Sequence, residues 1–423
     1  MKPITRTLPT ALSLSLALAA CGPAPAPPSP RNAAAPQSPP LHLREIALPT
    51  TAVAAQPDLV ADGQGGLLLS WVEPQGAGHS LRFATLANGS WSAPRTIAGG
   101  TDWFVNWADT PHVAVTADGA LWAHWLQKSA QDSYAYDVAM TRSGDGGQTW
   151  SAPVRVNDDG KAAEHGFVSL WPAANDALGV AWLDGRDSAG EDAHAMHGGH
   201  GGAMTLRTAV FDARLQRRDE TRIDAMTCDC CQTDVALTAR GPLLAFRDRT
   251  PEEIRDIAVS RLDQGAWSAP HTVHADDWKM PACPVNGPAL AARDHDVLAA
   301  WYTAAGDVPA VKLAHSRDDG DRFAAPVTLD RGEAVQGRVD VALSTDAAWV
   351  LWLREDADGQ SLQLAEYAPD LSRQRQRLEV ARLQGRGRGT GFPQLALHDG
   401  GVVVVWTDVI GGKPQLHAAV VAP

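Results

Sequence analysis

The sequence predicts an all-β chain folded as a seven-bladed β-propeller, and three observations predict it. First, a short apolar run ending in an aromatic recurs seven times. The runs are LLLSW to Trp71, LWAHW to Trp125, LGVAW to Trp182, LLAF to Phe246, VLAAW to Trp301, WVLW to Trp352 and VVVVW to Trp406, spaced 51 to 64 residues apart. Second, each run has an apolar strand before it and another after it. Third, the last repeat stops after its third strand, while Leu43 to Leu48 (LREIAL) offers a strand with no repeat of its own. Four short strands per repeat of this length describe a propeller blade.

The elements follow in order. The first strand of each repeat reads PDLVA, PHVAV, FVSLW, TDVAL, GPALA, VDVAL and PQLAL, and the third reads LRFATL, DVAMTRS, MTLRTAV, DIAVSRL, VKLAHS, LQLAEY and LHAAVV. Strands buried between neighbouring blades are apolar on both faces, so they appear as near-continuous runs. A fourth strand opens at WSAP from Trp91, Trp150 and Trp267, with a variant at Phe323. The repeats account for the 15 Trp against 4 Tyr and 7 Phe. The N-terminal strand then completes the last blade, closing the ring and removing an open edge. A six-bladed ring is the alternative count.

Two turns narrow the architecture. Ser143-Gly-Asp145-Gly-Gly147-Gln-Thr149-Trp150 fits the pattern S-x-D-x-G-x-T-W, and Ser316-Arg-Asp318-Asp-Gly320-Asp-Arg-Phe323 is a close variant. Both fall between third and fourth strands. In this they resemble the Asp-boxes of sialidase-like (BNR-repeat) propellers, a resemblance that covers nearly the whole body and speaks for the fold. Sialidases of this fold use a Tyr nucleophile with a Glu partner, an Asp acid/base and three Arg that clamp a carboxylate. The resemblance therefore points to Tyr302, Arg247, Arg338 and Arg388 as catalytic candidates for a glycosidase. The F/Y-R-I-P motif of that family is absent, and no Tyr has an obvious Glu companion in sequence.

Ahead of the body, Lys2 and Arg6 precede an apolar stretch that ends in Leu18-Ala19-Ala20-Cys21. This resembles a bacterial lipobox, which implies a cleaved signal at 1–20 and lipidation of Cys21. Gly22 follows where an Asp would favour the inner membrane, so outer-membrane anchoring is expected. Residues 21–41 are Pro- and Ala-rich and form a tether able to extend about 50 Å. The propeller then occupies 42–423, in the cell envelope. A net charge of -13 excludes a nucleic-acid partner, which needs a basic face. The expected partners are the membrane, through the lipid alone, and a metal ion or a glycan or protein ligand.

Strand connectivity puts the loops between second and third strands on one face, together with the loops between blades. That face holds all four remaining cysteines. Cys228, Cys230 and Cys231 precede blade 4, and Cys283 precedes blade 5. His165 precedes blade 3, whose oversized loop carries His194, Met196, His197, His200 and Met204. Thiolate, thioether and imidazole together suit Cu(I), and zinc would accept the Cys/His subset. The competing reading is two disulfides, since an even number of exported cysteines is commonly a staple. The adjacent Cys230 and Cys231 fit that scheme poorly. Beside them, the charged stretch from Arg247 to Asp256 reads either as a solvated loop or as support for the metal site. Trp103 and Trp107 read as a stacking platform or as packing inside the ring.

Overall fold

Seven antiparallel sheets, each built outward from an inner strand, make up the body of the protein. The computed structural model describes residues 39–131, 134–188 and 204–423. Cys21, the 1–20 segment and nearly all of the tether lie outside the described residues, as do His194, Met196, His197 and His200. The inner strands are Ala55–Ala61, Val113–Val115, His165–Pro172, Asp234–Thr238, Ala289–Arg293, Val335–Leu343 and Gln394–His398. Each overlaps the first apolar run of its repeat, and neighbours touch all the way round. The ring has seven blades rather than six. His42–Ile46 pairs antiparallel with Lys413–Ala422, so the N-terminal strand is the outer edge of blade 7.

The recurrent tryptophans fill the seams. Trp71, Trp122, Trp182, Trp301 and Trp352 are fully buried. A buried indole N–H needs an acceptor. Trp182 donates to Asp184 at 2.7 Å, Trp301 to Asp276 at 2.7 Å and Trp352 to Asp330 at 2.8 Å.

A second device joins the blades near the axis. A carboxylate on or just ahead of one inner strand accepts the backbone N–H of the next. Asp58 takes Val113 N–H at 2.7 Å, Asp109 takes Phe167 at 2.8 Å, Asp234 takes Leu290 at 2.6 Å and Asp340 takes Leu395 at 2.6 Å. Asn286 plays the same part for Arg338 at 2.7 Å. Inner strands have one edge without a sheet partner, and these side chains satisfy part of it.

The Asp-boxes are turns as expected. Ser143 Oγ donates to Asp145 at 2.8 Å and accepts Gly147 N–H at 2.8 Å, while Asp145 accepts Gln148 and Thr149 N–H. Ser316, Asp318 and Gly320 repeat the geometry. Gly147 has φ +81, and a Cβ there would lie 2.3 Å from the Phe83 ring, so both backbone and packing demand glycine. Trp150 meets the same ring edge-on, and Phe323 packs on the apolar cluster between blades 4 and 5.

WSAP marks a shorter element than expected. Ser90–Trp91 and Ala266–Trp267 only bridge back to the third strand. The outer edge resumes after the proline, at Arg95–Gly100 and His271–Thr272. Proline lacks the N–H a ladder requires, so it splits the strand.

Candidate metal centre

The loop entering blade 4 is tied at its start. Thr227 bridges Asp248, and Cys228 N–H donates to Arg247 O at 3.0 Å. Just beyond, Gln232 Nε2 donates to Ala108 O at 2.7 Å and its Oε1 accepts Gly287 N–H at 3.1 Å. Between these anchors the backbone turns Cys228, Cys230 and Cys231 inward. Their sulfurs all lie within 4.8 Å of one another, and all three residues are buried. Cys228 Sγ is 2.7 Å from Cys231 Sγ and 3.9 Å from Cys230 Sγ, with no disulfide between them. Sulfurs bound at about 2.3 Å to one ion sit about 3.8 Å apart, so Cys230 already has that spacing from Cys228, while Cys231 would have to draw back by about 1 Å. Cys283, half-buried on the loop before blade 5, forms a second group with Cys230 and Asp229, again within 4.8 Å.

The charged stretch from Arg247 to Asp256 is not a solvated loop. Arg247 and Arg255 are each 1% exposed. The stretch lies between the two cysteine loops, with Arg255 N–H on Trp278 O at 2.9 Å and Met280 N–H on Glu253 O at 2.9 Å. Arg255 Nη1 is 3.3 Å from Cys228 Sγ and 3.4 Å from Asp229 Oδ1, and Nη2 donates to Glu253 at 2.8 Å. Arg247 donates to the carbonyls of Asn286, Arg255 and Tyr302. Burial pushes the Cys228 thiol up. The hydrogen bonds from Cys230 and Cys231 and the charges of Arg255 and Arg247 outweigh it, and the thiol ends well below its ordinary value. Burial, followed by interaction with that thiolate, raises Cys230 and Cys231 well above theirs. The cluster thus sets one thiol with a lowered pKa beside two with raised ones.

The other expected ligands divide. Met204 shares the buried cluster of the three cysteines, one residue pair from them through its partner Thr227. His165 does not join them. Its Nδ1 is 3.0 Å from Tyr136 O and its Nε2 is 2.9 Å from Asp159, in a group with Asp184 and Arg186. The Tyr136 carbonyl and the Asp159 carboxylate thus occupy the two ring nitrogens, and burial there is offset by Asp159 and Asp184, which raise its pKa.

Across the same face, a bulge at Gly337 aims Arg338 over Trp107 and Phe392, at 4.9 and 5.9 Å from the ring centres. Arg388, exposed, lies 5.8 Å from the Trp107 ring. Trp107 and Phe392 stack at 5.9 Å, and Trp103 stacks on Trp125 at 5.5 Å. Tyr302 lies edge-on to Trp278 at 5.6 Å, and burial raises its hydroxyl pKa. A Tyr–Glu pair does form elsewhere. Tyr136 donates to Glu164 at 2.6 Å, under Phe104 stacked at 4.1 Å. Sequence reasoning missed it because 28 residues separate the partners. Tyr136 is 1% exposed. Nearby, burial and Glu164 push Asp109 up to about 8 against the pull of Phe167 N–H and His112.

No family model matches this chain, and no curated protein does. Solved structures do. The polysaccharide lyase Uly1 superposes with TM-score 0.52 at 8% identity, over 87% of this chain and 89% of that one. The chain is a seven-bladed β-propeller. A protein of unknown function from Dyadobacter fermentans gives TM-score 0.49 at 13% identity, over 90% of this propeller and 99% of that chain. The NanB sialidase from Streptococcus pneumoniae gives 0.46 at 9%, over 84% and 83%. The propeller expected from the repeats is the fold observed.

Proposed function

We propose that the propeller binds a soft metal ion, monovalent copper, through Cys228, Cys230 and Cys231. The observation that carries this reading is the packing of three sulfurs within 4.8 Å beside a buried guanidinium. Soft thiolates select Cu(I). Three thiolates and one monovalent ion leave a net negative charge, beside which the Arg255 and Arg247 cations stand. Zinc prefers four closed donors, and the fourth sulfur, on Cys283, groups with Cys230 rather than with all three. The lipobox-like stretch ending at Cys21 supports placing the site on a lipid-anchored envelope protein.

The test is anaerobic titration of the reduced protein with Cu(I) against a competing chelator. One tightly held copper per chain is expected, lost in Cys228→Ser with the fold retained by circular dichroism. Equal copper uptake by wild type and a Cys228/Cys230/Cys231 triple serine variant would remove the reading. Alkylation before and after reduction, read by mass, separates it from a disulfide staple.

A second reading concerns the other side of the face. Arg338 hydrogen-bonds Thr390 Oγ1 and the carbonyls of Gly387 and Gly391, all neutral, and the exposed Arg388 sits beside it over Trp107. Two cations on an aromatic plate suit an acidic sugar, and a polysaccharide lyase is among the structural neighbours. Binding of uronate-containing oligosaccharides that Arg388→Ala weakens is the expected result. Binding indifferent to Arg388→Ala would end this reading.

A further inference from the structure

The four cysteines form two overlapping donor sets that share one residue. The inner set is Cys228, Cys230 and Cys231, and the outer set is Asp229, Cys230 and Cys283. We infer that copper enters through the outer set and passes to the inner one by ligand exchange on Cys230, with Cys283 as the entry ligand. This rests on the copper reading above and adds a route and a substrate class: Cu(I) carried by a small thiol.

Exposure orders the donors along that route. Cys283 is half-buried, Cys230 is 7% exposed, and Cys228 and Cys231 are 1% exposed. A thiol-bound ion therefore meets Cys283 before any other sulfur. The outer set includes a carboxylate oxygen, so it is a poorer host for a soft ion than three sulfurs. The gradient in donor softness runs inward, in the direction of transfer.

The backbone favours a moving ion over a moving loop. The Cys283 loop is fastened at Ile254–Lys279 and at Met280 N–H. It is fastened again at Asn286, whose carbonyl accepts Arg247 Nε at 2.8 Å and whose Oδ1 accepts Arg338 N–H at 2.7 Å. Between these points Pro281 and Pro284 flank Cys283, and Val285 holds φ +48, a conformation β-branched residues adopt only when their surroundings impose it. The loop is thus held at both ends, and Cys230, common to both sets, bridges the step.

The exchange balances without redox chemistry. Cys283 attacks the copper of the incoming complex, its thiol proton passes to the departing carrier thiolate, and one copper–sulfur bond replaces another. Cys230 replaces the second carrier thiolate in the same way. Cys228 and Cys231 then displace Cys283, which takes back a proton. Copper stays monovalent throughout.

The experiment mixes Cu(I)–glutathione with reduced full-length protein and follows loading by stopped flow. Unloading to a chelator and equilibrium competition are measured on the same samples. In Cys283→Ser, loading and unloading should both slow by about tenfold, the scale of losing one supporting ligand, so that affinity moves far less than either rate. Cys230→Ser should lose both rate and affinity. Wild type in which Cys283 alone has been alkylated should behave as Cys283→Ser does, which covers a variant that fails to fold. Loading of Cys283→Ser at the wild-type rate, with wild type binding copper normally, would overturn the relay and leave the inner site standing. Wild type that takes no copper at all would overturn the inner site, and the relay with it.

Discussion

Arg255→Met should cost the protein both stability and its hold on copper. The guanidinium is 1% exposed and touches Cys228, Asp229 and Glu253. Methionine keeps much of the apolar stem and removes the charge. Breaking one partner out of a buried charged group leaves the others uncompensated, at a cost of about 3 kcal/mol. The Cys228 thiol then loses one of the charges that hold its pKa down, so its titration moves to higher pH. The sign for stability follows. A depressed folded-state thiol stabilises the protein above the free-thiol value, and that contribution fades as pH falls through the folded value. In Arg255→Met this pH-dependent part should shrink. Copper affinity should fall about tenfold or more, as for other lost supports of a metal ligand. Thiolate ultraviolet absorbance against pH, chelator competition and urea unfolding read the three effects. An unshifted thiolate titration in a folded variant would show that Arg255 does not govern the cluster.

Asp109→Asn should change the response of the propeller to pH. Asp109 Oδ1 accepts Phe167 N–H, Oδ2 has no hydrogen-bond partner among the described residues, and burial holds the group near about 8. An unfolded aspartate titrates near about 3.9. The folded chain therefore keeps a proton that the unfolded chain has lost between these values. Stability from this group is complete below the lower value and drains away as pH rises to the upper one, by up to about 1.4 kcal/mol per pH unit. Asparagine keeps an oxygen for Phe167 and has no proton to lose. Relative to wild type, the variant should gain stability between about pH 5 and about pH 8. Urea unfolding at both values tests this, and a constant difference between the two proteins would contradict it.

The blades were legible because the constraint that makes them is local. A strand sandwiched between blades must be apolar on both faces, and seven such runs declare themselves. The Asp-boxes were legible because one serine, one aspartate and one glycine complete the turn within five residues. The cysteine face followed from connectivity alone. What stayed hidden depends on partners distant in sequence. Arg255 stands in a run of charges that reads as solvated, and only the fold closes two loops over it. His165 stands in the right loop for a ligand but meets Asp159 and Asp184 instead. The interblade carboxylates carried a signal that passed unread: Asp58, Asp234 and Asp340 sit near the same point in PDLVA, TDVAL and VDVAL.

The pairing of His42–Ile46 with Lys413–Ala422 sets a timetable. During synthesis the early blades can form as they emerge, but the first strand has nothing to bind until the last is made. The nascent chain therefore carries an unsatisfied β-edge at its front for almost the whole of translation. Completion comes in one late step that joins the two extremes of the domain. A chain interrupted anywhere before Lys413 is left as an open arc, and both of its ends are free to pair with a neighbour.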